Sequence, residues 1–108
     1  MNWIPITDES NIQKIKDSSS EKPQVIFKHS TRCSISSMAK SRLERSAVPE
    51  GIDFHYLDLL TYRSISNLVA SEFKVEHASP QVLLIKDGVC VYDESHSGID
   101  MKELASRN

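Results

Sequence analysis

The sequence predicts an α/β fold, in which helices flank a four-stranded mixed sheet and an extra helix lies at the N-terminus. Short apolar runs alternate with segments of helical periodicity in the first two thirds of the chain, which is typical of βαβ units with parallel strands. The last two apolar runs are separated by Lys86-Asp87-Gly88. An Asp-Gly pair at such a place predicts an antiparallel hairpin.

The N-terminal segment combines a short apolar start with a helix. Residues 3–6 are apolar around Pro5, so we expect either an edge strand or a cover over the core. Thr7 or Asp8 is then predicted to cap a helix. This helix is expected to contact the rest of the protein through two isoleucines that lie three residues apart, Ile12 and Ile15.

A buried strand, a polar junction and a helix come next. Residues 25–27 are β-branched and aromatic, which predicts a buried strand. Ser30 and Thr31 are residue types that cap helices. Apolar residues then recur at helical spacing, namely Ile35, Met38, Ala39, Leu43 and Ala47. Cys33 is therefore predicted to lie where a strand ends and a helix begins.

The remaining elements complete the order β-α-β-α-β-β-α. Apolar and polar residues alternate from Ile52 to Tyr56, which predicts a half-buried strand parallel to the first. A helix follows with Ile65, Leu68, Val69 and Phe73 on one face. Residues 82–85 and 89–92 form the hairpin, and a last helix after Gly98 carries Ile99, Met101, Leu104 and Ala105. A cysteine after the first strand and a proline before the third are the layout of the thioredoxin fold.

Length and composition limit the classes of function. A chain of 108 residues predicts a single domain spanning 1–108. Its net charge of −2 gives no reason to expect nucleic acid or an anionic membrane as a partner. No apolar run is long enough to span a bilayer, and no basic region leads into one as in a secretion signal. Two cysteines cannot form a disulfide framework, so we expect a cytoplasmic protein with free thiols.

Cys33 is the predicted reactive group. A thiol at a helix start faces unpaired backbone N–H groups and the positive end of the helix dipole, which favour the thiolate. Arg32 adds a cation, and Ser36 is placed to offer the sulfur its hydroxyl proton. The alternative is a buried cysteine without chemistry. The polar neighbours Arg32 and Ser34 argue against it, and the spacing Cys-x-x-Ser indicates a one-cysteine redox site.

Five segments together resemble the YtxJ-type monothiol bacilliredoxins, which are thioredoxin-like proteins of the bacillithiol system. They are residues 28–31 (Lys-His-Ser-Thr), 33–36 (Cys-Ser-Ile-Ser), 77–81 (His-Ala-Ser-Pro-Gln), 87–88 (Asp-Gly) and 95–96 (Ser-His). The usual Thr-Cys-Pro-Ile-Ser differs here, because Arg32 and Ser34 replace its threonine and proline. Proline suits the first turn of a helix, so its loss could loosen this end.

The resemblance implies that Cys33 removes bacillithiol from protein mixed disulfides. No bound cofactor is implied; bacillithiol is the thiol co-substrate, and bacillithiolated client proteins are the partners. Pro80 resembles the cis-proline that faces the cysteine in this fold, and it would present the Ser79 backbone to the substrate as a strand edge does. The predicted catalytic residues are Cys33 and Ser36. The predicted substrate-binding residues are Arg32, Ser34, Ser79, Pro80 and His77.

Other interpretations of the residues stay open. Cys33 and a small thiol could hold an iron–sulfur cluster between two chains, although the Cys-Gly-Phe-Ser motif of such carriers is absent, or the protein could be a non-catalytic adaptor. Cys90 alternates with valines in the hairpin and is predicted to be packed and inert. No Cys/His pairs have zinc spacing, so no metal site is predicted. A basic rim for the bacillithiol malate group would comprise Lys28, Arg32, Lys40 and Arg42.

Overall fold

The computed structural model describes residues 1–107, whose strands form a five-stranded sheet. The strands are β1 (Ile4–Pro5), β2 (Gln24–His29), β3 (Asp53–Asp58), β4 (Gln81–Lys86) and β5 (Val89–Ser95). Their order in the sheet is β1-β3-β2-β4-β5. β1 and β2 are both parallel to β3, whereas β4 is antiparallel to β2 and to β5. The predicted parallel pair and hairpin are therefore confirmed.

Helices cover both faces of the sheet. They are α1 (Ser10–Ser18), α2 (Ser34–Arg45), α3 (Arg63–Phe73) and α4 (Met101–Ser106), and a 3₁₀ turn, His96–Gly98, precedes α4. Side chains alternate along β2, so Val25 and Phe27 pack with α2 and α4 while Ile26 packs with α1 and α3. This arrangement confirms the predicted α/β class and the extra N-terminal helix.

The sheet has one strand more than the predicted four, because the N-terminal segment pairs with β3. Ile4 and Pro5 lie opposite His55 and Tyr56, and the Ile6 N–H donates to the Tyr56 carbonyl at 2.9 Å. Proline is compatible with this position because an edge strand has one side without ladder hydrogen bonds. The segment also covers the core, since the Trp3 ring stacks on Phe27 at 5.5 Å between centroids.

The predicted caps of the first two helices were wrong. Glu9 occupies the N-cap position of α1, and the backbone N–H groups of Thr7 and Asp8 both donate to Asn11 Oδ1 at 3.0 Å. Cys33 itself occupies the N-cap position of α2, in place of Ser30 or Thr31. The isoleucines of α1 are buried as predicted, Ile12 at 3% exposure and Ile15 at 2%.

The apolar face predicted for α2 is only partly correct. Ala39 and Leu43 are buried, but Ile35 and Met38 are 53% and 62% exposed. The helix ends at Arg45, and Ala47 lies beyond it. The physical reason is that Ser36, which is fully buried, faces the sheet and hydrogen-bonds to β2. That orientation turns Ile35 and Met38 toward solvent.

The C-terminal half follows the prediction closely. Asp87 and Gly88 have φ values of 51° and 78°, the left-handed pair that a tight hairpin turn requires. α4 begins at Met101 and buries Met101 and Leu104, whereas Ala105 is exposed. None of the helices formed by residues 1–107 combines the length and the hydropathy needed to cross a bilayer.

Candidate active site

Cys33 lies at the junction of β2 and α2. Its backbone is extended, with φ −108° and ψ 120°, and the helix starts at the next residue. The Cys33 N–H donates to the Ser30 carbonyl and its carbonyl accepts from the Ser37 N–H, both at 3.1 Å. The side chain is half-buried, and both Arg32 and Ser34 beside it are exposed. The thiol is thus held by a fixed backbone while one side of it stays open to solvent.

The Ser79–Pro80 peptide bond is cis and lies at the same edge of the sheet. Lys28 near the end of β2 pairs with Gln81 at the start of β4, so the residues after β2 and before β4 are neighbours. Pro80 is buried and Ser79 is half-buried. The predicted cis conformation is therefore confirmed, and the antiparallel register places this bond beside the Cys33 junction.

Ser36 makes different contacts from the predicted one. Its Oγ accepts the Ser30 N–H at 3.0 Å and lies 2.7 Å from His29 Nδ1. Burial lowers the pKa of His29, and the nearby Lys40 ammonium lowers it further. The imidazole is therefore neutral near pH 7, and one of its tautomers accepts the Ser36 hydroxyl proton. These contacts assign Ser36 to the structure of the junction, and its direct action on sulfur stays a prediction.

His29 is held by aromatic rings as well as by this hydrogen bond. Its ring stacks with Phe27 at 5.7 Å and lies 5.5 Å from the Tyr56 ring, between centroids. In the sequence, His29 stands out only as part of the motif at residues 28–31. If the strand alternation is extended from Phe27 to His29, it places the histidine on the α2 face of the sheet, facing the helix whose N-cap is Cys33.

His77 is exposed and contacts a buried lysine. Its Nδ1 lies 3.2 Å from Lys28 Nζ and 3.4 Å from Ser66 Oγ. Partial burial of the ring lowers the pKa of His77, and the charges of Lys28 and Arg63 lower it further. Lys28 is fully buried and also donates to the Ser66 carbonyl at 3.2 Å. Side chains alternate along β2, so Lys28 lies on the same face as Ile26, the face that packs against α3. The strand pattern of the sequence therefore indicated on which face Lys28 lies.

The predicted basic rim was wrong for most of its members. Lys28 is buried, and Lys40 forms an ion pair with Glu44 at 2.9 Å. Arg42 donates to the carbonyls of His96 and Ile99 at 3.3 and 3.4 Å. Lys28 thus lies inside the protein, Lys40 pairs within α2 itself, and Arg42 links α2 to the 3₁₀ turn and the residue after it. Arg32 alone of the four is an exposed cation next to Cys33.

Cys90 lies far from Cys33 along the sheet. It pairs with Ile85 near the hairpin turn, about 13 Å along β4 from the end at which the cis bond lies. Its Sγ donates to the Tyr92 carbonyl at 3.3 Å, and burial raises the pKa of its thiol to about 11. The prediction that Cys90 is packed is confirmed. Within residues 1–107, no group of three or more His, Cys, Asp or Glu side chains is arranged to hold a metal ion.

Solved structures with the same architecture support the class of fold. A thioredoxin-fold protein to which an oxidoreductase activity is ascribed superposes with a TM-score of 0.83 and 25% identity, covering 95% of this chain and 90% of that one. Thioredoxin of Fasciola hepatica has a TM-score of 0.71 and 18% identity, with coverages of 96% and 97%. Spinach chloroplast thioredoxin f has a TM-score of 0.75 and 14% identity, with coverages of 98% and 85%.

Fold and site together define a thioredoxin-fold thiol redox protein, in which a cysteine at the start of α2 lies at the edge shared with a cis-proline. The family model of monothiol bacilliredoxin BrxC matches residues 4–104. The chain therefore belongs to the monothiol bacilliredoxin family, as its motifs indicated.

Proposed function

We propose that this protein is a thiol-disulfide oxidoreductase that removes bacillithiol from protein mixed disulfides through Cys33. The observation that carries the proposal is the position of Cys33, half-buried at the N-cap of α2 and at the sheet edge that also holds the cis Ser79–Pro80 bond. Membership of the monothiol bacilliredoxin family supports bacillithiol as the small thiol.

The reaction consists of two thiol-disulfide exchanges. The Cys33 thiolate attacks the bacillithiol sulfur of the mixed disulfide, and the client sulfur leaves as a thiolate that takes up a proton. Cys33 then carries bacillithiol in a disulfide. A second bacillithiol, as its thiolate, attacks the bacillithiol sulfur, which frees Cys33 and releases bacillithiol disulfide. The mixed disulfide and one free bacillithiol thus give the client thiol and bacillithiol disulfide. The client sulfur is reduced to a thiol, the incoming bacillithiol is oxidised, and the number of disulfide bonds is unchanged.

The surroundings of Cys33 suit the first attack. The first backbone N–H groups of α2 point toward the N-cap position, where they and the helix dipole stabilise a thiolate. Arg32, exposed beside the thiol, adds a positive charge and is placed to contact a carboxylate of bacillithiol. Ser34 occupies the first helical position, where the family usually has proline. We propose that Arg32 and Ser34 set the preference for the thiol.

The absence of a second thiol near Cys33 favours transfer of a small thiol. Position 36 is a buried serine, and Cys90 lies toward the other end of the sheet with a pKa of about 11. An internal disulfide therefore has no partner close to Cys33 within residues 1–107. The Cys33–bacillithiol disulfide is then resolved by a free thiol from solution.

We propose that client proteins bind to the Ser79 backbone and to the exposed apolar side chains at the start of α2. An extended client segment pairs with the Ser79 backbone, as a strand adds to a sheet edge. Ile35 and Met38, exposed on the first turns of α2, offer apolar contacts close to the thiol, and His77 borders the other side. Bacillithiolated proteins and bacillithiol are therefore the proposed partners, and the cytoplasm is the proposed location because both cysteines are free thiols.

Intact-mass measurement tests the proposal. Reduced wild type, Cys33→Ser and Cys90→Ser are each mixed with a bacillithiolated model protein. We expect one bacillithiol to move to wild type and to Cys90→Ser, and none to Cys33→Ser. No transfer to any of them would contradict the exchange function. An iron–sulfur carrier would then show visible absorbance after anaerobic purification, and an adaptor would not.

A further inference from the structure

A buried ammonium group lies beneath the segment that leads to the cis bond. Lys28, on β2, has no exposed surface, and its Nζ contacts the Ser66 carbonyl and His77 Nδ1, each at 3.2 Å. His77 lies three residues before Pro80, in the connection between α3 and β4. The lysine thus joins β2 and α3 to the segment that precedes the cis-proline.

Both of these acceptors are neutral. None of the ion pairs formed among residues 1–107 includes Lys28. The pKa of Lys28 is lowered from 10.5 to about 8 by burial, as expected for a charge that lacks a carboxylate partner. A buried charge without such a partner reduces stability, and an apolar side chain of similar length would be more stable there.

Gln81 adds a third side chain to this cluster. It pairs with Lys28 across the β2–β4 ladder, so both side chains lie on the α3 face of the sheet. Its Nε2 donates to the Glu76 carbonyl at 3.0 Å, which holds the residue before His77. Its Oε1 is buried and accepts no hydrogen bond from residues 1–107. The Lys28 ammonium has three protons and contacts two acceptors, the Ser66 carbonyl and His77 Nδ1. Gln81 Oε1, on the neighbouring strand, is a further acceptor without a partner among residues 1–107.

We propose that Lys28 is a positioning residue that holds His77, and through it the segment up to Ser79–Pro80, in the conformation that binds the client disulfide. This inference rests on the proposed exchange function and names a residue through which the same site is organised. From inside the protein, the Lys28 side chain contacts His77 and the Gln81 side chain contacts Glu76, so both hold the segment between α3 and β4. Without the Lys28 ammonium, the one side-chain hydrogen-bond contact that the His77 ring keeps within residues 1–107 is the longer one, 3.4 Å to Ser66 Oγ.

The central variant is Lys28→Met, with Lys28→Arg as the conservative change that keeps the charge. Hydrogen exchange of the backbone amides of residues 75–79 reports the conformation of the segment directly. It requires no catalysis, so it remains informative even if the protein does not act on bacillithiol. Lys86→Met, at the opposite end of β4, is the matched control for loss of a lysine from the sheet.

We expect Lys28→Met to speed amide exchange in residues 75–79 and to raise the KM for a protein mixed disulfide about tenfold, with little change in kcat. Lys28→Arg should recover part of both effects, and Lys86→Met should show neither. The His77→Ala change should raise KM similarly, and the double variant should be no worse than either single one, because both remove the same contact.

Two results would overturn the inference. One is wild-type amide exchange and KM in Lys28→Met. The other is a double variant whose rise in KM equals the combined rises of Lys28→Met and His77→Ala. Such independent contributions would show that the Lys28–His77 contact does not organise the segment. Failure of the proposed function is distinguishable, since it leaves wild type inactive in transfer while the exchange of residues 75–79 still responds to Lys28→Met.

Discussion

The hydroxyl oxygen of Ser36 lies 2.7 Å from Nδ1 of His29, and both side chains are buried. The same oxygen accepts the Ser30 N–H at 3.0 Å. One atom of α2 is therefore bound to the last residue of β2 and to the first residue after it. Cys33 lies in the chain between Ser30 and Ser36, so this pair of contacts closes the loop that carries Cys33 and sets its position relative to the sheet.

Replacing Ser36 by alanine should lower the free energy of unfolding by about 1–3 kcal/mol. The change leaves the buried His29 nitrogen and the Ser30 N–H without their partner. Urea unfolding measures the effect. The neighbouring Ser37 is exposed, so Ser37→Ala should change stability by less than about 0.5 kcal/mol. Equal midpoints for the two variants would show that the Ser36 contacts contribute nothing to the junction.

The exposed apolar residues of α2 should contribute to client binding and not to stability. Ile35→Ser and Met38→Ala remove side chains that are 53% and 62% exposed, so the unfolding midpoint should stay near that of wild type. Their KM for a bacillithiolated protein should rise severalfold, while reaction with bacillithiol disulfide, which has no protein surface, should not change. Val91→Ser on β5, where Val91 is 49% exposed, is the control. An equal rise in KM for this control would contradict a binding surface on α2.

The two cysteines should differ strongly in alkylation. With a pKa of about 11, Cys90 is ionised in about one molecule in ten thousand at pH 7, and its thiol is half-buried. Brief treatment of the folded protein with iodoacetamide should therefore add one label, and treatment in denaturant should add two. Native Cys33→Ser should remain unlabelled over the same time. Rapid labelling of native Cys33→Ser would mean that Cys90 is accessible and reactive.

Stability should depend on pH through Lys28. Its pKa is lowered from 10.5 to about 8 in the folded protein, so between these values the unfolded chain binds more protons than the folded one. The contribution of Lys28 to stability therefore rises with pH through this window. We expect Lys28→Met to be more stable than wild type at about pH 7, and this advantage to shrink by about 3 kcal/mol by about pH 10.5. Urea unfolding at a series of pH values measures the difference, and a constant difference would contradict burial of the charge as its cause.

Local patterns were sufficient for most of the fold. Alternation predicted β3, the Asp87-Gly88 pair predicted the hairpin, and the helical spacing of Ile65, Val69 and Phe73 predicted the buried face of α3. These features depend on residues that are close in the chain, so the amino-acid order carries them. The position of Cys33 between β2 and α2 was also predictable, because it follows directly from the order of the two elements.

The errors arose where distant parts of the chain decide the outcome. The fifth strand depends on Ile4 reaching His55, and the orientation of α2 depends on Ser36 meeting His29. Helical spacing alone assigned Ile35 and Met38 to the core, because an apolar residue near a helix start has the same pattern whether it faces the sheet or solvent. Lys28 was placed at the surface because lysine is rarely buried.

The sequence by itself determined the order of the helices and main strands, the position of Cys33 at a helix start and the family to which the chain belongs. Tertiary structure alone decided which side chains meet at the site, including the contacts of Ser36 with His29 and of Lys28 with His77. The reason is physical. Secondary structure follows from local conformational preference and periodicity, whereas hydrogen-bond partners of buried polar groups are set by the packing of segments that lie far apart in the chain.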